Sequence, residues 1–128
     1  MLQETHIIKE SDLTLLIKEK FDYSSHTSNS AGVITIVSSD YEIISMYKDN
    51  VGRQLFMLVE HDKEKILLVN IYSPNCHKQA INFMKPVYLK ILEILNENPD
   101  CYVILAGNFN SCMTSKEYIN RAKLLPEI

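Results

Sequence analysis

The sequence predicts a layered α/β protein, mostly one mixed sheet with helices packed on it. Three observations carry this expectation. Four strand-like runs follow one another through the middle of the chain, at 33–37, 42–47, 55–59 and 66–72. A single long stretch, 78–96, repeats apolar residues at helical spacing. A short unbroken apolar run, 102–106 (YVILA), then reads as a strand buried on both faces.

The elements follow in order. Ser11 is placed to cap a helix over 11–20, with Leu13, Leu16 and Ile17 on one stripe. Residues 24–30 (SSHTSNS) read as a surface loop. The run VITIV at 33–37 is nearly all β-branched, and EIISMY at 42–47 follows a Ser-Asp turn. The runs LFMLV and ILLVNIY flank a polar tip, His61-Asp62-Lys63-Glu64, which predicts a hairpin with a loop longer than two residues. In the long helix, Ala80, Met84, Val87, Ile91 and Leu95 form one side, widened by Phe83, Tyr88, Leu92 and Ile94. Pro86 lies inside this pattern and is expected to kink or split it. Asn98-Pro99-Asp100 ends it, and Thr114 or Ser115 is placed to cap a last helix running to 124.

The 128 residues suffice for one domain, taken here as 1–128, and are too few for two. With 46% apolar residues the chain can bury a core, which argues against global disorder. The 13 basic residues are outnumbered by 16 acidic ones and never run three together, so composition gives no support for strong DNA affinity. Cys76, Cys101 and Cys112 form no CxxC pair, and their odd number fits reduced thiols in an intracellular protein. The first ten residues carry charge without an apolar core, unlike a signal peptide. No apolar run approaches the ~20 residues of a membrane span.

Three spots carry a chemical signal: Leu2-Gln3-Glu4-Thr5-His6, Asn70-Ile71-Tyr72-Ser73-Pro74-Asn75, and Gly107-Asn108-Phe109-Asn110. Each lies at the carboxyl end of an expected strand, where sheet proteins place ligand sites. Singly, each has an ordinary explanation. Glu4 is then a solvated carboxylate, Tyr-Ser-Pro-Asn a turn, and Gly-Asn-Phe-Asn a loop that needs positive φ at Gly107.

Their order is less ordinary. With Ala31-Gly32-Val33 between the first two, Gly52-Arg53 ahead of a strand and Phe83 in the helix, the chain resembles the endonuclease/exonuclease/phosphatase (DNase I-like) superfamily. Within it, the sequence is most similar to the endonuclease of LINE-type retrotransposons, whose pattern reads LQETH, a Gly-Val strand, N-x-Y-x-P-N and G-D-F-N. The resemblance covers nearly the whole chain. It implies a DNase I-like layered α/β sandwich and a magnesium-dependent phosphodiesterase acting on DNA. Glu4 matches the metal-binding Glu, and Tyr72 the Tyr at the scissile phosphate. Asn75 matches the Asn that helps build the pocket, and Asn110 the Asn that contacts phosphate. Metal and polar groups would together stabilise transition-state charge.

Asn108 stands where the family has Asp. A carboxylate accepts a proton from water and adds negative charge beside a cation; an amide does neither. The resemblance also implies a preceding strand ending in an Asn and a following sheet with an Asp and an Asp-His pair, none matched within these residues. His6, His26, His61 and His77 do not supply that pair. The expectation is therefore a partial sandwich, catalytically inactive or nearly so, with weak magnesium binding through Glu4 and weak or absent DNA binding. Exposed sheet surface would favour self-association. The alternatives are a repurposed protein-binding module and a nuclease completed by additional chain.

Overall fold

β-Branched and aromatic residues cluster in seven strands of a computed structural model that describes residues 1–3, 20–24 and 31–110. The chain divides into two compact units, the first comprising Met1–Tyr72 with Asp100–Asn108 and the second Ser73–Pro99 with Phe109–Ile128.

The first unit holds two sheets. β1 (Leu2–Gln3), β2 (Lys20–Ser24) and β3 (Val33–Val37) form an antiparallel sheet in the order β1-β3-β2. β4 (Glu42–Lys48), β5 (Gln54–His61), β6 (Glu64–Tyr72) and β7 (Tyr102–Asn108) form a mixed sheet in the order β4-β5-β6-β7. Its first three strands are antiparallel and β7 runs parallel to β6. The smaller sheet lies against β5 and β6. Side chains alternate across a strand, so Ile66, Leu68, Asn70 and Tyr72 share one face of β6. That face meets the smaller sheet, because the Asn70 amide bonds Leu2, Ile34 and Thr35 there. Val37, Met57 and Val59 pack together, with Tyr41, Ile43, Ile66 and Leu68 around them. Leu67, Val69 and Ile71 on the opposite face are equally buried. Hence β5 and β6 read as continuous apolar runs.

The second unit carries one described helix, α1 (His77–Glu97). Ala80, Val87 and Ile91 are buried on one stripe, as the spacing predicts. Asn98 closes the helix, its backbone N–H and side-chain amide both donating to Ile94 O, and Pro99 follows.

The α/β class with a mixed sheet agrees with the expectation, and five details differ. The hairpin between β5 and β6 has a two-residue turn: His61 pairs with Glu64, and Asp62 and Lys63 sit at φ +50 and +67. Two successive positive φ values make a type I′ turn, whose twist suits a tight hairpin; without a glycine the sequence does not announce it. β2 was not expected, and Ser24 belongs to it rather than to a loop. The three-stranded sheet it completes adds to the single mixed sheet expected. α1 runs unbroken through Pro86; Pro86 and Asn82 are both exposed, so water can satisfy the carbonyl that loses its donor. β7 is not buried on both faces: Tyr102, Val103 and Ile104 are exposed, because β7 is the edge strand among the described residues. The helices expected over 11–20 and up to 124, and most of the loop at 25–30, lie outside the described residues, although Lys20 itself begins β2.

Candidate functional site

Glycine sets the geometry of the site. Gly107 adopts φ +145, and a Cβ there would sit 2.0 Å from Ile71 O. Only a residue without a side chain lets β7 come this close to β6. The resulting register places Asn108 beside Tyr72, at the carboxyl ends of two parallel strands. Both residues are partly buried. The need for Gly107 is therefore close strand approach as much as loop conformation.

A second glycine contact orders the neighbouring turn. Gly52, at φ +73, accepts the Gly32 N–H at 2.9 Å through its carbonyl, and a Cβ on Gly52 would meet Gly32 N at 2.7 Å. Asp49 completes the turn: its carboxylate accepts the Arg53 N–H at 3.1 Å, and the Ser24 hydroxyl lies 2.6 Å from it. This fixes Arg53 directly ahead of β5. Tyr72 N–H donates to Arg53 O at 2.8 Å, and Arg53 Nη1 donates to Tyr72 O at 3.1 Å. The guanidinium lies over the Tyr72 ring, 4.9 Å from its centroid, within cation–π range.

One layer deeper, Asn70 is fully buried. Its Nδ2 donates to Ile34 O at 2.9 Å and Leu2 O at 3.1 Å, and its Oδ1 accepts from Gln3 Nε2 at 2.8 Å. These bonds hold β1, which leads into the Gln3-Glu4 motif, onto β6. Sequence reading gave Asn70 no separate role, although a lone amide inside an apolar strand signals built-in partners. In the sequence Arg53 stands out only through the resemblance, in Gly52-Arg53.

Of the sequence-predicted site residues, Tyr72 and Asn108 come together in the first unit. In the second, Asn110 Nδ2 donates to Ser73 O at 2.8 Å, tying the segment after β7 to the segment after β6. Asn110 has φ +48, a conformation asparagine tolerates. Asn75 is exposed just ahead of α1. Glu4 lies outside the described residues.

The described donors do not suit a divalent cation. Tyr72, Asn108, Asn75 and Asn110 offer a phenol and amides, whereas magnesium prefers carboxylate and phosphate oxygens. Among the described residues no cluster of three or more His, Cys, Asp or Glu could hold a metal. Burial pushes the Cys101 thiol above its ordinary pKa, against the smaller opposing effects of a backbone hydrogen bond and Lys65, which disfavours the thiolate there. No described helix is long and apolar enough to cross a membrane.

No family model matches the chain. Solved structures do. A humanized D. rerio TDP2 carrying 14 mutations matches with a TM-score of 0.65 at 21% identity, over 91% of this chain and 52% of that one. D. rerio TDP2 complexed with a single-strand DNA product matches at 0.64 and 20% identity, over 90% and 49%. Truncated Caenorhabditis elegans TDP2 matches at 0.62 and 19% identity, over 84% and 45%. The chain thus spans about half the length of these proteins, and over that span it has the DNase I-like fold of TDP2.

Proposed function

We propose that this chain is a LINE-type retrotransposon endonuclease domain, or a piece of one, that holds nucleic-acid phosphodiesters weakly and hydrolyses them little or not at all. One observation carries the reading. The Gly107-dependent register sets Asn108 beside Tyr72, where the resemblance calls for a carboxylate that activates water. The amide keeps the shape and loses the base, and losing a general base costs ~10²–10⁴-fold in rate. The order of the LQETH, AGV, NIYSPN and GNFN segments supports the retrotransposon branch. The single-strand DNA product in the D. rerio TDP2 structure supports single-stranded nucleic acid as the ligand class. Glu4, the one carboxylate of the motif set, would bind magnesium weakly at best without substrate phosphates.

The test is an oligonucleotide-cleavage and plasmid-nicking assay with magnesium or manganese. Neither the wild type nor Asn108→Asp should cleave above an EDTA control. Groups of a site act as a unit, so one restored carboxylate among amides recovers little. Wild-type cleavage abolished both by EDTA and by Glu4→Ala would overturn the reading.

A second reading, a protein-binding module, is favoured by the exposed apolar residues of β7 at a sheet edge. A single stoichiometric protein partner, lost when β7 is substituted, would support it.

A further inference from the structure

We infer that Arg53 is the anion-binding cation of this site and that it grips a phosphodiester group of single-stranded nucleic acid beside Tyr72. The inference rests on the proposed function and adds a residue and a contact to it.

Arg53 stands directly across from Tyr72 at the start of β5, one step beyond the Gln54–Ile71 pair. Tyr72 in turn pairs with Asn108 on β7. Residues paired across neighbouring strands project from the same face. Arg53, Tyr72 and Asn108 therefore form one cross-strand row, cation, phenol and amide, along the end of the sheet. The row lies on the face that carries Asn70 and meets the smaller sheet.

Arg53 is half-buried, and a cation removed from water normally has a carboxylate partner. Arg53 has none among the described residues; the ion pairs there join Lys48 to Asp22, His61 to Asp62 and Lys90 to Glu93. The neighbouring acid, Asp49, turns its carboxylate to the Arg53 backbone N–H and the Ser24 hydroxyl. Asp49 is therefore not the counter-ion of Arg53. The guanidinium is held instead by a carbonyl and the face of a ring, neither of which neutralises it.

The Tyr72 ring and the Nη1 bond to Tyr72 O fix the guanidinium plane. Its Nε and Nη2 hydrogens have no partner among the described residues. Those hydrogens form a planar fork that matches two phosphate oxygens, and pre-ordering leaves less side-chain entropy to lose on binding. The chain carries a net charge of −3 and only two arginines, Arg53 and Arg121, so local placement rather than overall field must attract a polyanion.

The experiment is fluorescence anisotropy with a labelled single-stranded oligonucleotide over a salt series, beginning at low salt. Arg53→Gln should weaken binding about tenfold and lower the salt slope by about 0.7, the share of one phosphate contact on a single strand. Arg53→Lys should keep the slope and lose only part of the affinity. Because Arg53 also anchors its turn, phenylglyoxal labelling of the unaltered protein gives an independent readout: the oligonucleotide should protect Arg53, with Arg121 as internal reference. Undiminished binding by Arg53→Gln, or equal labelling of Arg53 with and without oligonucleotide, would overturn the assignment of Arg53 while leaving the proposed function standing. No binding by the wild type at low salt would instead overturn the proposed function.

Discussion

At the scale of single residues, two side-chain identities decide whether the site can exist. Asn70 is buried between the sheets with its amide nitrogen and oxygen both engaged. Asn70→Ala would strand Ile34 O, Leu2 O and the Gln3 amide without replacing their partners. Leaving buried polar groups unsatisfied costs ~1–3 kcal/mol, so chemical denaturation should show a loss of about 2–3 kcal/mol. An unchanged midpoint would show that water replaces the amide. Gly107 answers to sterics alone. Gly107→Ala forces a Cβ against Ile71 O, and we expect a loss of about 3 kcal/mol by thermal unfolding, at the upper end of overpacking costs. Wild-type stability for this variant would mean that β7 can slide away from β6, and with it Asn108 from Tyr72.

At the scale of elements, the β5–β6 hairpin shows how a turn can be right for the strands and wrong for its residues. Asp62 and Lys63 both hold positive φ. A non-glycine side chain resists that conformation, by ~1–2 kcal/mol where it is fully left-handed. Lys63→Gly relieves the clash and gives back part of the gain through a freer unfolded chain. The net expectation is a stabilisation of about 0.5 kcal/mol, read as a raised melting temperature. A lower melting temperature would mean that the Lys63 side chain itself stabilises the turn. α1 shows the opposite case: an exposed Pro86 is tolerated because the helix leaves that position to water.

At the scale of the whole molecule, the mixed sheet ends, among the described residues, in two strands with apolar exposure. Tyr102, Val103 and Ile104 lie open on β7, as do Ile44, Met46 and Tyr47 on β4. No charge interrupts β7, so its edge lacks the usual guard against strand pairing. We expect concentration-dependent association through β7 in size-exclusion chromatography. Ile104→Lys should shift the protein toward monomer, because a charge on the edge opposes pairing. A concentration-independent monomeric wild type would contradict this.

The sequence by itself determined the strands at 33–37, 42–47, 55–59 and 66–72 and the long helix, because periodicity and β-branching report local burial directly. It also placed Tyr72 and Asn108 at the carboxyl ends of two expected strands, since both sit in motif segments that close apolar runs; that the two strands pair side by side is a finding of the structure. It could not determine β2: KFDYS alternates polar and aromatic residues over only five positions, and the structure buries the polar Asp22 and Ser24 more deeply than Phe21 and Tyr23, through pairing with β3 and bonds to Lys48 and Asp49. It misjudged β7, because an apolar run looks the same at a sheet's centre and at its edge. Only the tertiary structure decided the roles of Arg53 and Asn70. Their chemistry depends on partners far along the chain: the Tyr72 ring and carbonyl for one, the backbone of Leu2 and Ile34 for the other. A lone arginine or asparagine has no periodicity, and whether its donors meet a carboxylate, a carbonyl or open space is set by how strands are brought together.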